Sequence, residues 1–301
     1  MQIIPLWFSA KWRGRRLFHP LFLLIIFIPF LSSCTHLFYQ PDRFRHFDPA
    51  SAGIEYRDVY FKGAHGATLH GWFFPARNGT PERGSFIQFH GNAENMTTHF
   101  NSLFWVTGRG YNLFTFDYSG YGDSEGEAGQ KELNEDASAA LKEGYTFEKD
   151  RAAAAGRPMR LAAYGQSLGG AVLLRALADF PERKELAVVV ADSAFLSYRS
   201  EARDVMANSW ITWLFQPLPY LLVSDAYAPE KTMVALQGIP LIVIHGTADR
   251  VVSIRQGRRV YELAPGPKEF WEVPGGRHID SMMRKDGEFR ERLMRYLEER
   301  Q

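Results

Sequence analysis

Leu161-Ala162-Ala163-Tyr164-Gly165-Gln166-Ser167-Leu168-Gly169-Gly170 reads as a strand, a sharp turn and the first turn of a helix. A short apolar run enters a serine flanked by glycines, and an apolar run of helical length, Leu168 to Phe180, leaves it and stops at Pro181. A strand-to-helix turn lifts the serine hydroxyl clear of the backbone, and the helix aims the positive end of its dipole at any negative charge that develops there. Glycines on both sides suit a strained turn whose neighbours approach too closely for a Cβ.

Working outward, strand-like runs rich in β-branched and aromatic residues lie at Ile54 to Phe61, Leu69 to Phe74, Ser85 to His90, Asn112 to Asp117, Arg160 to Tyr164, Leu186 to Ala191, Leu241 to His245 and Glu269 to Val273. Leu133, Ala137, Leu141 and Tyr145 recur at helical spacing, and Phe289, Leu293, Tyr296 and Leu297 mark one face of a C-terminal helix. No helix separates the first two strands, whereas from Ser85 onward each strand is expected to be followed by one. That order predicts an α/β fold in which an antiparallel start feeds an eight-stranded, mostly parallel sheet with helices on both faces.

The pattern G-x-S-x-G occurs again at Gly122-Asp123-Ser124-Glu125-Gly126. Chance produces it in about one chain in ten of this length, so context must choose between the two serines. Ser124 has neither a strand running straight into it nor a helix leaving it, and Asp123 and Glu125 would raise the cost of an alkoxide. Its glycine-rich surroundings, Gly120 to Gly129, read as a tight loop after a strand. Ser167 is therefore the candidate nucleophile.

A serine hydroxyl needs a base, and the base needs an orienting acid. His278 follows the last strand in Pro274-Gly275-Gly276-Arg277-His278, and Asp249 follows the preceding strand in His245-Gly246-Thr247-Ala248-Asp249. Both stand at carboxyl ends of strands, where the crevice of an open α/β sheet lies. His90 and His245 are rival bases, but a His-Gly pair at a strand end shapes a turn more often than it moves protons. Asp192, after the strand ending at Ala191, is the rival acid; Asp280 is too near His278 in sequence to be its natural partner. Acyl transfer also needs donors for an oxyanion. The backbone N–H of Leu168 is one, and the loop after the third strand offers Asn92, with Ala93 as the alternative.

Four motifs together resemble the lid-bearing serine hydrolases of the α/β-hydrolase superfamily: His90-Gly91-Asn92-Ala93, Asp117-Tyr118-Ser119-Gly120-Tyr121-Gly122-Asp123-Ser124-Glu125-Gly126, Gly165 to Gly170, and His245-Gly246-Thr247-Ala248-Asp249. The resemblance spans Ser85 to His278. It implies acyl hydrolysis by Ser167, Asp249 and His278 without metal or organic cofactor, and leaves ester, thioester and amide substrates open. It also makes Ser124 a loop residue. Two positions depart from the family pattern: Glu94 stands where Gly usually precedes the second loop asparagine, and Ser119 stands where Arg is frequent. The alternatives are a non-catalytic envelope protein that uses the scaffold for binding, and a peptidase of the same fold.

The composition fits this reading. The 301 residues carry 35 Lys+Arg against 34 Asp+Glu, which lacks the basic surplus of a dedicated nucleic-acid binder. One cysteine, Cys34, excludes an intramolecular disulfide framework and a cysteine-rich zinc site. Before it come Lys11, Arg13, Arg15 and Arg16, then the apolar stretch Leu21 to Leu31, too short for an ordinary spanning helix. Leu31-Ser32-Ser33-Cys34 resembles a bacterial lipobox, which implies cleavage after residue 33 and a lipid on Cys34. Thr35 in place of Asp leans to the outer membrane by the same resemblance. An uncleaved anchor and an incidental buried cysteine are the competing readings. Signal removal leaves 31 basic and 34 acidic residues, a slightly acidic body.

The expected organisation is thus a signal segment over 1–33, a tether over 34–53 and a hydrolase domain over 54–301 with a cap inserted at about 193–238. Within that cap, Val205 to Ser224 holds no charged residue, includes Trp210, Trp213, Phe215 and Leu221, and is broken by Pro217 and Pro219. It reads either as buried cap core or as an apolar wall for an acyl chain or a lipid surface.

Overall fold

Eight strands form one sheet in the order β1-β2-β4-β3-β5-β6-β7-β8 in this computed structural model, which describes residues 39–77, 79–207 and 210–300. The expected signal segment over 1–33 and Cys34 lie outside the described residues. The strands are β1 (Arg57–Lys62), β2 (Thr68–Phe74), β3 (Gly84–Phe89), β4 (Tyr111–Phe116), β5 (Leu161–Gln166), β6 (Leu186–Asp192), β7 (Leu241–Gly246) and β8 (Lys268–Val273). β1 pairs antiparallel with β2, and β2 with β4; every later pairing is parallel. The five residues between β1 and β2 permit a turn but no crossover, which forces the antiparallel start.

The helices are α1 (Met96–His99), α2 (Gln130–Ala155), α3 (Leu168–Asp179), α4 (Tyr198–Ala207), α5 (Pro219–Leu222), α6 (Ile254–Leu263) and α7 (Glu288–Glu298). The period-two alternation of the strands splits the core into two layers. Leu161 and Ala163 of β5, with Leu241 and Val243 of β7, pack beside Leu133, Leu141, Leu173 and Val260 from α2, α3 and α6. Ala162, Tyr164, Ile242 and Ile244 face the other way and meet Phe289, Leu293 and Leu297 of α7. Both faces of the inner strands are covered, so these strands are apolar throughout rather than alternating with polar residues.

Two expectations differ from what is found. β1 starts at Arg57 rather than Ile54, because the Ile54 N–H is taken by Pro49 O where a 3₁₀ turn closes. β3 is followed only by the single turn α1 and short 3₁₀ segments, not by a full helix. There Gln88 Nε2 donates to His99 O and Ser102 Oγ, so a side chain takes a carbonyl that a continuing helix would have used.

The sheet topology positions a crevice. From β3 the chain crosses to β4 on one side and returns to β5 on the other, so the loops leaving β3 and β5 diverge at the carboxyl edge. His90 to Asn95 follow β3, and Ser167 follows β5.

Candidate active site

Ser167 joins β5 to α3 with φ +53° and ψ −119°, a backbone region that a side-chain-bearing residue adopts only at a cost. The strain is over-determined by packing. A Cβ on Gly165 would come within 2.7 Å of Gly169 O, and one on Gly169 within 2.3 Å of both Phe89 O and His90 O. The Ser167 N–H donates to Asp192 O across to β6 at 2.8 Å, which fixes the turn to the neighbouring strand. Leu168 opens α3, so its N–H has no acceptor within the helix and is open to an anion at the turn.

His278 and Asp249 are brought together. His278 Nδ1 lies 2.8 Å from Asp249 Oδ2, with the carboxylate buried and the imidazole half-buried. Burial alone would raise the Asp249 carboxyl. Hydrogen bonds from His245 and His278, the imidazole's charge and the Val251 N–H outweigh it and hold the group well below the usual carboxylate range. An ionised carboxylate only accepts, so Nδ1 of His278 carries the proton and Nε2 is left as an acceptor on the ring's far side. A Cβ on Gly246 would strike Gly276 O at 2.3 Å, so the two loops that bear Asp249 and His278 lie directly against each other.

The rivals have other tasks. His245 is fully buried, with Nε2 2.9 Å from Val252 O and 3.5 Å from Asp249 Oδ2; it braces the acid from behind. His90 is also fully buried, its ring tilted against Tyr118 and edge-on to Tyr121, with Nε2 3.3 Å from Asp117 Oδ1. Asp192 accepts from Tyr164 and Ser281 hydroxyls and sits within β6, with burial raising its carboxyl despite those bonds. Asp280 receives the Arg277 N–H and shapes the histidine loop. Ser124 is buried, donating to Asp117 O at 2.7 Å and accepting from His70 N–H at 3.0 Å.

The loop after β3 passes over the turn at Ser167: a Cβ on Gly91 would lie 3.7 Å from Ser167 Cβ. Asn92 Oδ1 accepts from Tyr121 OH and from Gln40 N–H, both at 3.0 Å. His99 Nε2 lies 2.9 Å from Ala93 O. Burial and the neighbouring His90 push that imidazole down to about 4, so near neutral pH it serves as an N–H donor under the loop. Glu94 adopts φ +61°, the left-handed conformation that glycine takes cheaply, so the loop keeps its shape without the glycine.

Three contributors escape a reading of the sequence. Residues 39–47 lie across this loop: Asn95 Nδ2 donates to Asp42 O and Phe44 O, and Thr97 Oγ1 accepts from His46 N–H. Ser193 Oγ accepts from Ile279 N–H beside His278, which links the loop after β6 to the histidine loop. Glu201 of α4 is buried, and its Oε2 has no hydrogen-bond partner among the described residues. Burial, with the negative charges of Asp204 and Asp249, pushes it up to about 8. Long-range contacts of this kind leave no local pattern, and Glu201 shares its buried helix face with Asp204 rather than standing out on an apolar one.

The family model for serine aminopeptidase S33 (Hydrolase_4) matches residues 80–236, just over half of the chain. The chain belongs to that family. It is 34% identical over 281 residues to the uncharacterized protein YfhR of Salmonella typhimurium, covering 89% of this chain and 90% of that one. It is 31% identical over 198 residues to the alpha/beta hydrolase domain-containing protein aho-3 of Caenorhabditis elegans, covering 64% of this chain and 51% of the other. Among solved structures it resembles the Pyrococcus furiosus esterase Pf2001, with TM-score 0.64 and 24% identity over 86% of this chain and 96% of that one. An acylaminoacyl peptidase of Pyrococcus horikoshii overlaps with TM-score 0.54 and 18% identity, covering 81% of this chain and 40% of the peptidase. At such identities these structures establish the fold, an eight-stranded α/β-hydrolase sheet.

Proposed function

We propose that this S33-family chain is a serine hydrolase that cleaves acyl esters through a covalent acyl-enzyme and is held at a bacterial envelope membrane by lipid on Cys34. The observation that carries the catalytic part is the buried, ionised Asp249 at 2.8 Å from His278 Nδ1, on a histidine loop whose Ile279 N–H donates to Ser193, the residue after the Asp192 carbonyl that accepts from the Ser167 N–H.

In this mechanism Ser167 Oγ attacks the carbonyl carbon while His278 Nε2 takes its proton. The negative charge passes to the carbonyl oxygen, where the N–H groups of Leu168 and Asn92 receive it. Collapse expels the alcohol, which leaves with the proton from the imidazolium. A water molecule, deprotonated by His278, then attacks the acyl-serine; the carboxylic acid departs and Ser167 regains its proton. Asp249 keeps the ring in the tautomer both steps need, and no step calls on a metal or organic cofactor.

Amide cleavage is the second reading, favoured by the family match and by the overlap with an acylaminoacyl peptidase. The chemistry differs only in the leaving amine, which needs the proton from His278 more than an alcohol does. A panel of p-nitrophenyl esters of rising chain length beside aminoacyl p-nitroanilides tests both, with Ser167→Ala as the control. Turnover of esters well above amides supports the first reading; the reverse order supports the second; turnover of neither at any chain length contradicts catalysis. The anchor is tested separately, since Cys34→Ser should move the protein out of the membrane fraction with ester turnover intact.

A further inference from the structure

The segment between β6 and β7 presents an apolar surface that the catalytic reading leaves unused. Trp210 is 88% exposed, Leu221 78%, Leu214 76% and Ile211 65%, with Trp213 and Tyr220 beside them in sequence and also more than half exposed. These values exclude buried cap core, one of the two expectations for this stretch. Large apolar side chains set this close together, in a run of 20 residues with no charge, mark an interaction surface rather than scattered exposure.

The base of this segment is fixed to one face of the domain. Ser197 OH donates to Asp225 Oδ2 at 2.8 Å, Arg199 Nε donates to Val223 O at 2.7 Å, and Gln130 Nε2 donates to Ser224 O at 2.6 Å. The chain's N-terminal side enters at the same place: Tyr39 is buried in the same core layer as Tyr198, the first residue of α4, and interacts with it. Five residue steps separate Cys34 from Tyr39, a reach of at most about 18 Å. Whatever holds Cys34 at a bilayer therefore holds the root of the apolar segment close to the same bilayer.

We propose that the face formed by Trp210, Ile211, Trp213, Leu214, Tyr220 and Leu221 docks in the interfacial layer of the phospholipid membrane that carries the anchor. The proposal rests on the lipid-anchor reading of Cys34. Attachment at one point leaves a domain free to tumble on its tether; a second, apolar contact fixes its orientation. Tryptophan and tyrosine suit that layer, having an apolar body and a polar edge, and stable attachment commonly needs two signals. The segment leaves the carboxyl end of β6, the same edge of the sheet as Ser167, so docking turns the crevice toward the bilayer and makes membrane acyl lipids the natural substrate class.

The test uses the full chain reconstituted in phosphatidylethanolamine–phosphatidylglycerol vesicles. Cys34 is the only native thiol, so Leu214→Cys adds a single site for an environment-sensitive fluorophore, and Glu299→Cys serves as a control at the end of α7. Brominated phospholipid in the vesicles should quench the label at position 214 several-fold and leave that at 299 unchanged. Adding Trp210→Ser and Leu221→Ser should reduce the quenching at 214. A label at 214 that stays unquenched overturns the proposal. One that is shielded only as protein concentration rises also overturns it, and assigns the face to a second copy of the chain. Maleimide reaction of the wild type would show Cys34 free and sink the anchor reading alone; Leu214→Cys in a Cys34→Ser background would then carry the single label that scores the docking.

Discussion

The same five-residue pattern occurs at Gly122–Gly126 and at Gly165–Gly169, and the fold gives the two serines opposite settings. Ser124 is sealed in a loop, its hydroxyl spent on Asp117 O and His70 N–H. Ser167 is held at φ +53° between β5 and α3, where packing by Phe89, His90 and the strand-tied backbone bond to Asp192 maintains the strain. A motif thus takes its setting from the elements on either side of it. The two regions still cooperate: Tyr121, in the loop of the first motif, donates to Asn92 above the second.

Exchange of each serine should separate these settings most sharply. Ser167→Ala is expected to lower kcat by roughly 10⁴-fold or more with stability little changed. Ser124→Ala should keep turnover but lose about 1–3 kcal/mol in urea unfolding, because the His70 N–H and Asp117 O are left without their partner. Equal losses of activity in both would break the comparison.

Asp249→Asn comes next, at about 10³–10⁴ in kcat, because an amide favours the wrong imidazole tautomer. Tyr121→Phe should cost less, on the order of tenfold in kcat with KM nearly constant, if Asn92 must be held for an oxyanion that exists only in the transition state. A change confined to KM would mean that the first motif's loop touches substrate instead.

Glu201 yields a pH signature. Its folded value of about 8 lies above that of an unfolded glutamate, so the native state holds the proton more tightly, and stability should decline as pH rises from about 4.5 to 8. Glu201→Gln should flatten that decline in thermal unfolding scans. The smallest effect is expected of Glu94→Gly, which relieves the left-handed backbone at 94 and should shift stability by no more than about 1 kcal/mol with turnover unchanged.

Much of this architecture can be read from local pattern. The eight apolar runs mark the strands to within a few residues, because buried parallel strands need continuous β-branched and aromatic side chains. Ser167 stands out because it follows such a run directly, and Asp249 and His278 because each lies in the short loop after one. What stays hidden depends on distance in sequence. Nothing near Gln40 indicates that its N–H reaches Asn92, and Asp192 is as well placed after its strand as Asp249 until Tyr164 and Ser281 are seen to occupy its Oδ2. Exposure of Trp210 and Leu221 is equally silent, since hydropathy is the same for a buried cap and a bare one. Glu94 shows the limit from the other side: a departure from the usual glycine changes the residue and not the backbone conformation.

The central claim is that Ser167, and not Ser124, is the nucleophile. Labelling with a fluorophosphonate probe, followed by peptide mapping, tests it most directly. The account predicts a single adduct on Ser167, lost in Ser167→Ala and His278→Ala and retained in Ser124→Ala. An adduct on Ser124, or an unlabelled wild type that also turns over no ester, would contradict it.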